Sequence, residues 1–321
     1  MILALAFAAS YRLVDLHVNP DSGSLPLLND RGTVMGTAIS PGQAGVFVYW
    51  HGRRQFLPTY VSKTLGLNNR DEAVLSTETG PARWHDGKIS LLSTGGHGDP
   101  IGIDDAGNIV SAYLESGRRP AYWRTPTPLK VDLHGLRPSV IGPDGSLCLT
   151  KPTELWPTQP KVGPIAFLCY GTNLTPIGGQ DDLLAPLCMS SNDRVGGSGA
   201  IGGQECETPF VWQAGDLTIL PRHKGQKSNA RVYGVNSSGL AVGVAIYREV
   251  LDGATTQRVR AVMWKNKKLI DLNDFVPASF PFTLTMGVAI NDRGEILTEA
   301  EVKDVAHFQS PTLVLLEPTG P

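Results

Sequence analysis

The stretch Ile290-Asn291-Asp292-Arg293-Gly294-Glu295-Ile296-Leu297 decides the fold, because the chain repeats it. Leu28-Asn29-Asp30-Arg31-Gly32-Thr33-Val34-Met35-Gly36 matches it closely, and five weaker copies lie between the two. Every copy places Gly, Asn or Asp at one position, and these residues tolerate the positive φ of a tight turn. The seven turn residues, which stand 36 to 55 positions apart, are Gly32, Asp71, Gly107, Gly145, Asn192, Gly239 and Gly294. Each copy therefore predicts two strands joined by a tight turn.

Two further strands follow each turn. The third strand carries an aromatic residue in five units, at Tyr49, Trp84, Trp123, Trp212 and Trp264. Four strands in about 40 to 50 residues is the period of a β-propeller blade. The seventh unit stops after its third strand, whereas the chain begins with an unmatched fourth strand, Leu13-Val14-Asp15-Leu16. We therefore expect an all-β fold, a seven-bladed β-propeller of four-stranded antiparallel blades whose ring is closed by the N-terminal strand.

Composition agrees with a turn-rich β protein and excludes two classes of function. The 321 residues include 36 Gly and 24 Pro, only 18% are charged, and the net charge is -2. Without clustered Lys and Arg the chain lacks the phosphate contacts of a nucleic-acid binder. No apolar run approaches the roughly 20 residues of a membrane-spanning helix. Because every blade packs on its neighbours, we expect residues 11–321 to form a single domain and the protein to be a monomer.

The first ten residues have two interpretations. Met1–Ala9 is apolar, and Ala6-Phe7-Ala8 has the small residues of a secretory cleavage site, so residues 1–10 are read as the remnant of a signal peptide. The alternative is an ordinary apolar first strand.

The repeated polar and aromatic residues have structural explanations. Asn and Asp stabilise such turns without an ion, and no turn has the alternating oxygen ligands of an EF-hand loop. An aromatic residue recurring once per blade indicates core between blades rather than a platform for sugars. No HxH, HExxH or CxxC spacing, nucleophile elbow or P-loop is present, so we expect neither a metal nor another cofactor.

The fourth unit alone has cysteine at both the third position after the turn and the strand-three aromatic position. If Cys148 and Cys169 face each other across adjacent strands, their Cβ atoms satisfy disulfide geometry. Two reduced, buried thiols are the alternative.

The repeat resembles the extracellular HAF-repeat family of bacteria. Its most family-like part runs from Leu269-Ile270-Asp271-Leu272-Asn273-Asp274 to Ala289-Ile290-Asn291-Asp292-Arg293-Gly294, although no copy keeps the His of the His-Ala-Phe tripeptide; the nearest is Ile165-Ala166-Phe167. The resemblance implies a bacterial protein that is secreted or held in the cell envelope, and it assigns no catalytic residue.

The functional prediction is a non-catalytic binding or scaffold propeller with an unknown extracellular ligand, either a glycan or a protein. Its three longest insertions, Lys151–Lys161, Gly197–Glu207 and Arg248–Arg258, and its sheet-to-sheet connections are predicted to lie on one face. The candidate ligand-binding residues on that face are His97, Asp99, His134, Arg137, Trp156, Asp181, Asp182, Arg222 and His223. The alternative is an extracellular carbohydrate-active lyase or hydrolase with its site on the same face, using a His, an Arg and carboxylates.

Overall fold

A computed structural model describes residues 11–21, 24–40, 42–92, 99–112, 121–124, 127–129, 136–151, 165–171, 173–179, 182–201, 207–224, 228–251, 254–303 and 311–320. Strands dominate these residues, and one short 3-10 helix covers Leu272–Phe275. No helix in these ranges has the length and apolar character needed to cross a membrane. Residues 1–10, which carry the signal-peptide prediction, lie outside the described part of the chain.

The strands, in chain order, are β1 (Tyr11–Asp15), β2 (Asn19–Pro20), β3 (Leu27–Leu28), β4 (Val34–Ser40), β5 (Gln43–Trp50), β6 (Arg53–Phe56), β7 (Val61–Leu67), β8 (Glu72–Thr77), β9 (Gly80–His85), β10 (Lys88–Leu91), β11 (Asp99–Ile103), β12 (Ile109–Ala112), β13 (Ala121–Arg124), β14 (Thr127–Leu129), β15 (Arg137–Ile141), β16 (Leu147–Thr150), β17 (Ala166–Tyr170), β18 (Asn173–Ile177), β19 (Leu183–Met189), β20 (Val195–Ala200), β21 (Thr208–Gln213), β22 (Asp216–Ile219), β23 (Asn229–Val235), β24 (Ala241–Leu251), β25 (Ala254–Lys265), β26 (Lys268–Asp271), β27 (Phe282–Ile290), β28 (Ile296–Val302) and β29 (Thr312–Pro318).

These strands form antiparallel sheets, which we number along the chain. Sheet 1 contains β2 to β6, sheet 2 β7 to β10, sheet 3 β11 to β14, sheet 4 β15 to β18, sheet 5 β19 to β22 and sheet 6 β23 to β26. Sheet 7 contains β27, β28, β29 and β1, in that order. The predicted all-β propeller with four-stranded antiparallel blades is thereby confirmed.

Sheet 1 departs from the four-strand prediction. Its first strand is divided into β2 and β3, which pair with different parts of β4, so this sheet has five strands. Pro20 and Pro26 bound the interruption, and proline has no N–H to donate to the ladder. The extra strand is therefore one strand cut in two.

The amino-terminal strand pairs with the carboxy-terminal one. β1 lies antiparallel to β29, with Tyr11 opposite Pro318 and Asp15 opposite Val314. The strand begins two residues before the predicted Leu13 because the ladder already holds at Tyr11. Arg12 and Glu317, which are opposite each other, form an ion pair across this ladder.

Consecutive sheets touch through their first strands. β3 contacts β7, and the contacts continue in turn through β11, β15, β19, β23 and β27, which also contacts β3. Glycine allows the closest approaches: a Cβ on Gly66 would lie 2.7 Å from Gly102 Cα, and one on Gly234 would lie 2.8 Å from Ile290 N. No side chain fits at such distances, so these glycines set the spacing of the inner strands.

The aromatic positions behave as predicted where they are described. Trp84, Trp212 and Trp264 are among the largest fully or nearly fully buried side chains and belong to the apolar clusters between sheets. Tyr49 is half-buried, and the side chain of Trp123 lies outside the described part. The core interpretation is confirmed for these three tryptophans.

The predicted Cys148–Cys169 disulfide is wrong. In the β16–β17 ladder Cys148 lies opposite Leu168, whereas Cys169 lies opposite Leu147. A shift of one residue turns a side chain to the other face of a sheet. Cys148 accordingly packs in the cluster of Phe210, and Cys169 in the cluster of Val110 on the other side. Both are free, buried thiols, as the alternative stated.

Asparagine side chains stabilise the repeated turns, as predicted. Asn29 Oδ1 accepts from the backbone N–H of Arg31 (3.0 Å) and Thr33 (2.9 Å). Gly32, Asp71, Gly107, Gly145, Gly239 and Gly294 have the predicted positive φ. In the fifth unit the prediction is off by one residue, because Asp193 (φ 60°) and not Asn192 takes the left-handed position.

Candidate functional site

Four of the predicted ligand-binding residues, His97, His134, Trp156 and Asp181, lie outside the described residues. Asp99 begins β11, but the position of its side chain is not among those described.

The remaining four predicted residues, of which only Arg222 and His223 are neighbours in the sequence, line no common cavity. Arg137 is exposed at the start of β15, and the Asp182 carboxylate accepts from the backbone N–H of Gly179 at 2.7 Å. Arg222 Nη1 donates to the carbonyl of Ser228 at 3.2 Å. His223 is exposed and stacks on Tyr247, with ring centroids 3.6 Å apart and planes 9° from parallel. None of these four lines the cavities described below.

The predicted insertion Arg248–Arg258 is not an irregular loop. Arg248 pairs with Gln257, and Arg258 pairs with Tyr247, inside a long ladder between β24 and β25. The ladder continues to Leu251 opposite Ala254. This segment is therefore an extended hairpin, since its alternating Val, Tyr and Thr residues suit paired strands.

A groove of about 680 Å³ lies between sheets 6 and 7, and we call it the loop-end groove. It is formed where β23 and β27 begin and where β28 ends, which is the end of the sheets that carries the long connections. Its volume falls in the range of small-molecule and chain-binding sites. It is lined by Arg231, Tyr233, Val244, Ile246, Gln257, Arg258, Val259, Arg260, Thr283, Thr285, Met286, Glu299, Glu301, Val302 and Lys303.

Arg231 is the most firmly held cation of the groove. Its Nε and Nη2 each donate to one oxygen of Glu207 at 2.6 Å, and Nη1 lies 3.4 Å from the Tyr233 hydroxyl. The hydrogen bonds to Glu207 raise the pKa of Arg231. This two-point pairing fixes the plane of the guanidinium.

The other two arginines of the groove also have carboxylate partners. Arg258 Nε donates to Glu249 at 3.0 Å, and Arg260 Nε lies 3.7 Å from an Asp271 oxygen. Because carboxylates balance their charges, these arginines present a ligand with oriented hydrogen-bond donors rather than with a strong positive potential.

Two carboxylates line the groove: Glu299, which is half-buried, and Glu301, which is exposed. Burial raises the pKa of Glu299, and the charge of Glu301 raises it further. Among the described residues no hydrogen bond or ion pair reaches the Glu299 carboxylate; only its backbone carbonyl accepts, from Thr285 Oγ1 at 3.3 Å. A carboxyl group with these properties holds its proton to higher pH than usual.

A second, smaller cavity of about 150 Å³ lies at the opposite end, where the repeated turns of all the sheets meet. Asparagine side chains link neighbouring turns: Asn29 Nδ2 donates to Asn68 O (2.8 Å), and Asn291 Nδ2 donates to Asn29 O (2.9 Å). The space holds about five water molecules at about 30 Å³ each. Since its polar groups already bond one another, we assign this cavity a structural role.

Asp30 lies in this turn-end cavity. Burial raises the pKa of Asp30, and the charges of Asp292 and Asp105 add to the rise, although the N–H of Asp292 donates to its carboxylate at 2.7 Å. In the described ranges no group of three or more His, Cys, Asp or Glu side chains is arranged to hold a metal ion.

Part of the groove lining is visible in the sequence as a pattern of polar residues. Arg231 with Tyr233, and Thr283 with Thr285, are polar residues at alternate positions of first strands. β7 (Ser62, Thr64) and β15 (Arg137, Ser139) show the same alternation. Alternating polar residues indicate a solvated strand surface, but only the packing of sheet 6 against sheet 7 turns two such strands into a groove.

No protein-family model matches the chain, and no curated protein matches it in sequence. Solved structures share its fold. The β-propeller domain of the Trilobed protease from Pyrococcus furiosus, described as having an open velcro topology, matches with a TM-score of 0.56 and 8% identity over 97% of this chain and 96% of that one.

Two larger proteins also contain a similar part. The extracellular domain of a putative one component system from B. thetaiotaomicron matches with a TM-score of 0.53 and 10% identity over 95% of this chain, which spans 39% of that protein. The acylaminoacyl peptidase of Pyrococcus horikoshii matches with a TM-score of 0.50 and 8% identity over 89% of this chain and 51% of that one. At these identities the likeness shows the propeller fold alone.

Proposed function

We propose that the chain is a non-catalytic binding propeller that holds a segment of a glycan or a peptide in the loop-end groove. The observation that carries this proposal is the groove itself, about 680 Å³ with arginines already held by carboxylates and with hydroxyl and amide groups beside them. Tyr233, Gln257, Thr283 and Thr285 offer both donors and acceptors, as a neutral polar ligand requires.

The placement of His223 favours binding over catalysis. A histidine acting as a base needs a carboxylate or arginine within hydrogen-bond reach in a closed pocket. His223 is instead exposed and stacked on Tyr247. His97, the other candidate base, lies outside the described residues.

The test is a panel of polysaccharides and unstructured peptides, measured for retention and for turnover. Tyr233→Ala and Gln257→Ala should each weaken retention about 10-fold, as expected for the loss of a contact worth about 1.4 kcal/mol. Tyr170→Ala, which removes an exposed tyrosine from sheet 4, is the control and should bind normally. Retention that neither groove variant changes would show that the ligand binds elsewhere.

A second candidate function, a lyase or hydrolase on the same ligand, rests on Glu299. A carboxyl group that holds its proton to higher pH than usual can act as a general acid. Glu299→Gln separates the two functions: turnover that is present in the native protein and lost in this variant, with retention unchanged, would establish the enzyme. Absence of turnover across the panel supports binding alone.

We also propose that the sheets close into a seven-bladed ring completed by β1. The pairing of β1 with β29 and the contact of β27 with β3 support this arrangement. Leu13 lies opposite Leu316, so a Leu13→Cys/Leu316→Cys variant should form a cross-link that keeps the two ends together in denaturant. Failure to cross-link under oxidising conditions would argue for an open ring.

Export to the bacterial envelope and a monomeric state complete the proposal. Export is supported by the resemblance of the repeats to the HAF-repeat family and by the apolar stretch Met1–Ala9. Fractionation of expressing cells and light scattering of the purified protein test the two statements separately.

A further inference from the structure

In two sheets the residue directly after the positive-φ turn residue is a glutamate that forms an ion pair with arginine. In sheet 2 it is Glu72, whose oxygens lie 2.8 Å from Arg70 and 2.5 Å from Arg83. In sheet 7 it is Glu295, which pairs with Arg293 at 2.6 Å. At both places a carboxylate rests beside the glycine of the next turn and is neutralised within its own sheet.

In sheet 5 the equivalent residue is positively charged, and the residues that would pair with it are uncharged. The same position, directly after Asp193, is Arg194. The cross-strand position held by Arg83 in sheet 2 is Val211 in sheet 5, because Val74 pairs with Arg83 and Gly196 pairs with Val211. In sheet 2 the residue two positions before Glu72 is Arg70, whereas in sheet 5 the residue two positions before Arg194 is the uncharged Asn192.

Within the part of the chain that the structure describes, Arg194 consequently forms no ion pair. Its Nε is buried and has no hydrogen-bond partner among the described residues. Its guanidinium lies over Gly239, where a Cβ would come within 1.8 Å of Nη1. A buried, unsatisfied donor of a charged group costs free energy that a bound acceptor would restore.

The missing partner leaves a pocket of about 360 Å³ between sheets 5 and 6, which we call the Arg194 pocket. Lys267 contributes a second cation, and Val211, Leu220 and Trp264 contribute apolar walls. Asp216 is the one carboxylate that lines it; this residue is exposed and forms no salt bridge with Arg194. The pocket therefore has a cationic side and an apolar side.

We propose that the Arg194 pocket binds a small organic carboxylate with an aliphatic or aromatic body. The carboxylate accepts from Arg194 and Lys267, in the way that Glu72 accepts from Arg70 and Arg83, and the body packs against Val211 and Leu220. This site lies at the turn end, away from the loop-end groove, so its test is independent of the proposed function.

The test uses benzoate as the probe and benzamide, which has the same shape without the charge, as the matched ligand. Calorimetry and ligand-detected NMR should show saturable binding of benzoate and about 10- to 100-fold weaker binding of benzamide, because bonds to a charged group are stronger than neutral ones. Equal binding of both probes, or no binding of benzoate, would overturn the proposal.

Two substitutions locate the site. Arg194→Gln should weaken benzoate binding about 10- to 100-fold, and Lys265→Gln, which removes a charge from the same hairpin outside the pocket, should leave it unchanged. The double variant Arg194→Glu/Val211→Arg rebuilds the sheet 2 pair inside the pocket and should abolish binding while the protein stays folded by circular dichroism. Should Arg194→Gln unfold, Lys267→Gln at the exposed turn serves in its place; full benzoate affinity in folded variants of both cations would refute the assignment.

Discussion

Replacing Asn291 with alanine tests whether the links between turns stabilise the packing of neighbouring sheets. Asn291 is 3% exposed and makes four hydrogen bonds through its side chain. Oδ1 accepts from the N–H groups of Arg293 (3.1 Å) and Glu295 (2.9 Å), while Nδ2 donates to Asn29 O (2.9 Å) and to Glu295 Oε2 (2.6 Å). The bond to Asn29 joins sheet 7 to sheet 1.

The expected loss follows from these four bonds. At about 1 kcal/mol for each, with more for the bond to the charged Glu295 and for the buried groups left unsatisfied, Asn291→Ala should lower the free energy of unfolding by about 3 to 5 kcal/mol. The control is Asn192→Ala. Asn192 is exposed; its Nδ2 donates to Ser237 O in the neighbouring turn (2.9 Å) and its Oδ1 accepts from Ser190 Oγ (2.7 Å). Because solvent can replace both bonds, its loss should cost about 1 kcal/mol.

The assay is urea denaturation followed by tryptophan fluorescence, with the midpoint and the slope fitted together. Asn291→Ala should shift the midpoint several times further than Asn192→Ala at an unchanged slope. Equal shifts for the two variants would refute the reasoning, because they would show that burial and the link to sheet 1 add nothing to stability.

Three further predictions concern acid, glycine and cysteine. Because burial raises the pKa of Asp30, the folded state favours its protonated form and loses stability as pH rises through that pKa; Asp30→Asn should raise the melting temperature at pH 7 and change it little below about pH 4. Gly66→Ala brings a Cβ within 2.7 Å of backbone and should lower the free energy of unfolding by about 2 kcal/mol or more. In Gly52→Ala the new Cβ meets no atom within 4 Å, so this variant should lose only about 1 kcal/mol, from the strain of its positive φ. Equal melting temperatures of the two variants would contradict this. Burial raises the pKa of Cys148 to about 12, so a thiol reagent at pH 8 should label it only in urea, and rapid native labelling would contradict its burial.

Local turn chemistry made much of the fold predictable. Gly32 and Gly294 mark the turns because few residues tolerate their φ, and the buried Trp84 marks the third strand. The fifth unit was misaligned by one residue because both Asn192 and Asp193 suit a left-handed turn. Only the hydrogen-bonded ladder distinguishes the two.

The cysteine pair and the candidate site depend on that ladder. From their repeat positions alone, Cys148 and Cys169 are expected to face each other. The observed register places them on opposite faces of sheet 4. Arg194 becomes notable only when Val211 is known to stand where Arg83 stands in sheet 2. Cross-strand register in irregular repeats is a tertiary property, so composition and spacing could not reveal it.

Because β1 pairs with β29, the chain could begin at a different unit, with the units in the same cyclic order, and still form the same ladders. Tyr11 lies opposite Pro318, so a short linker can join the two ends of the described chain. New ends can then be opened at the exposed Asp86-Gly87 turn between β9 and β10. Such a circular permutant keeps all the described ladders and loses only the covalent connection between β9 and β10. The molecule becomes a scaffold whose chain ends, and any domain fused to them, can be moved from one sheet to another.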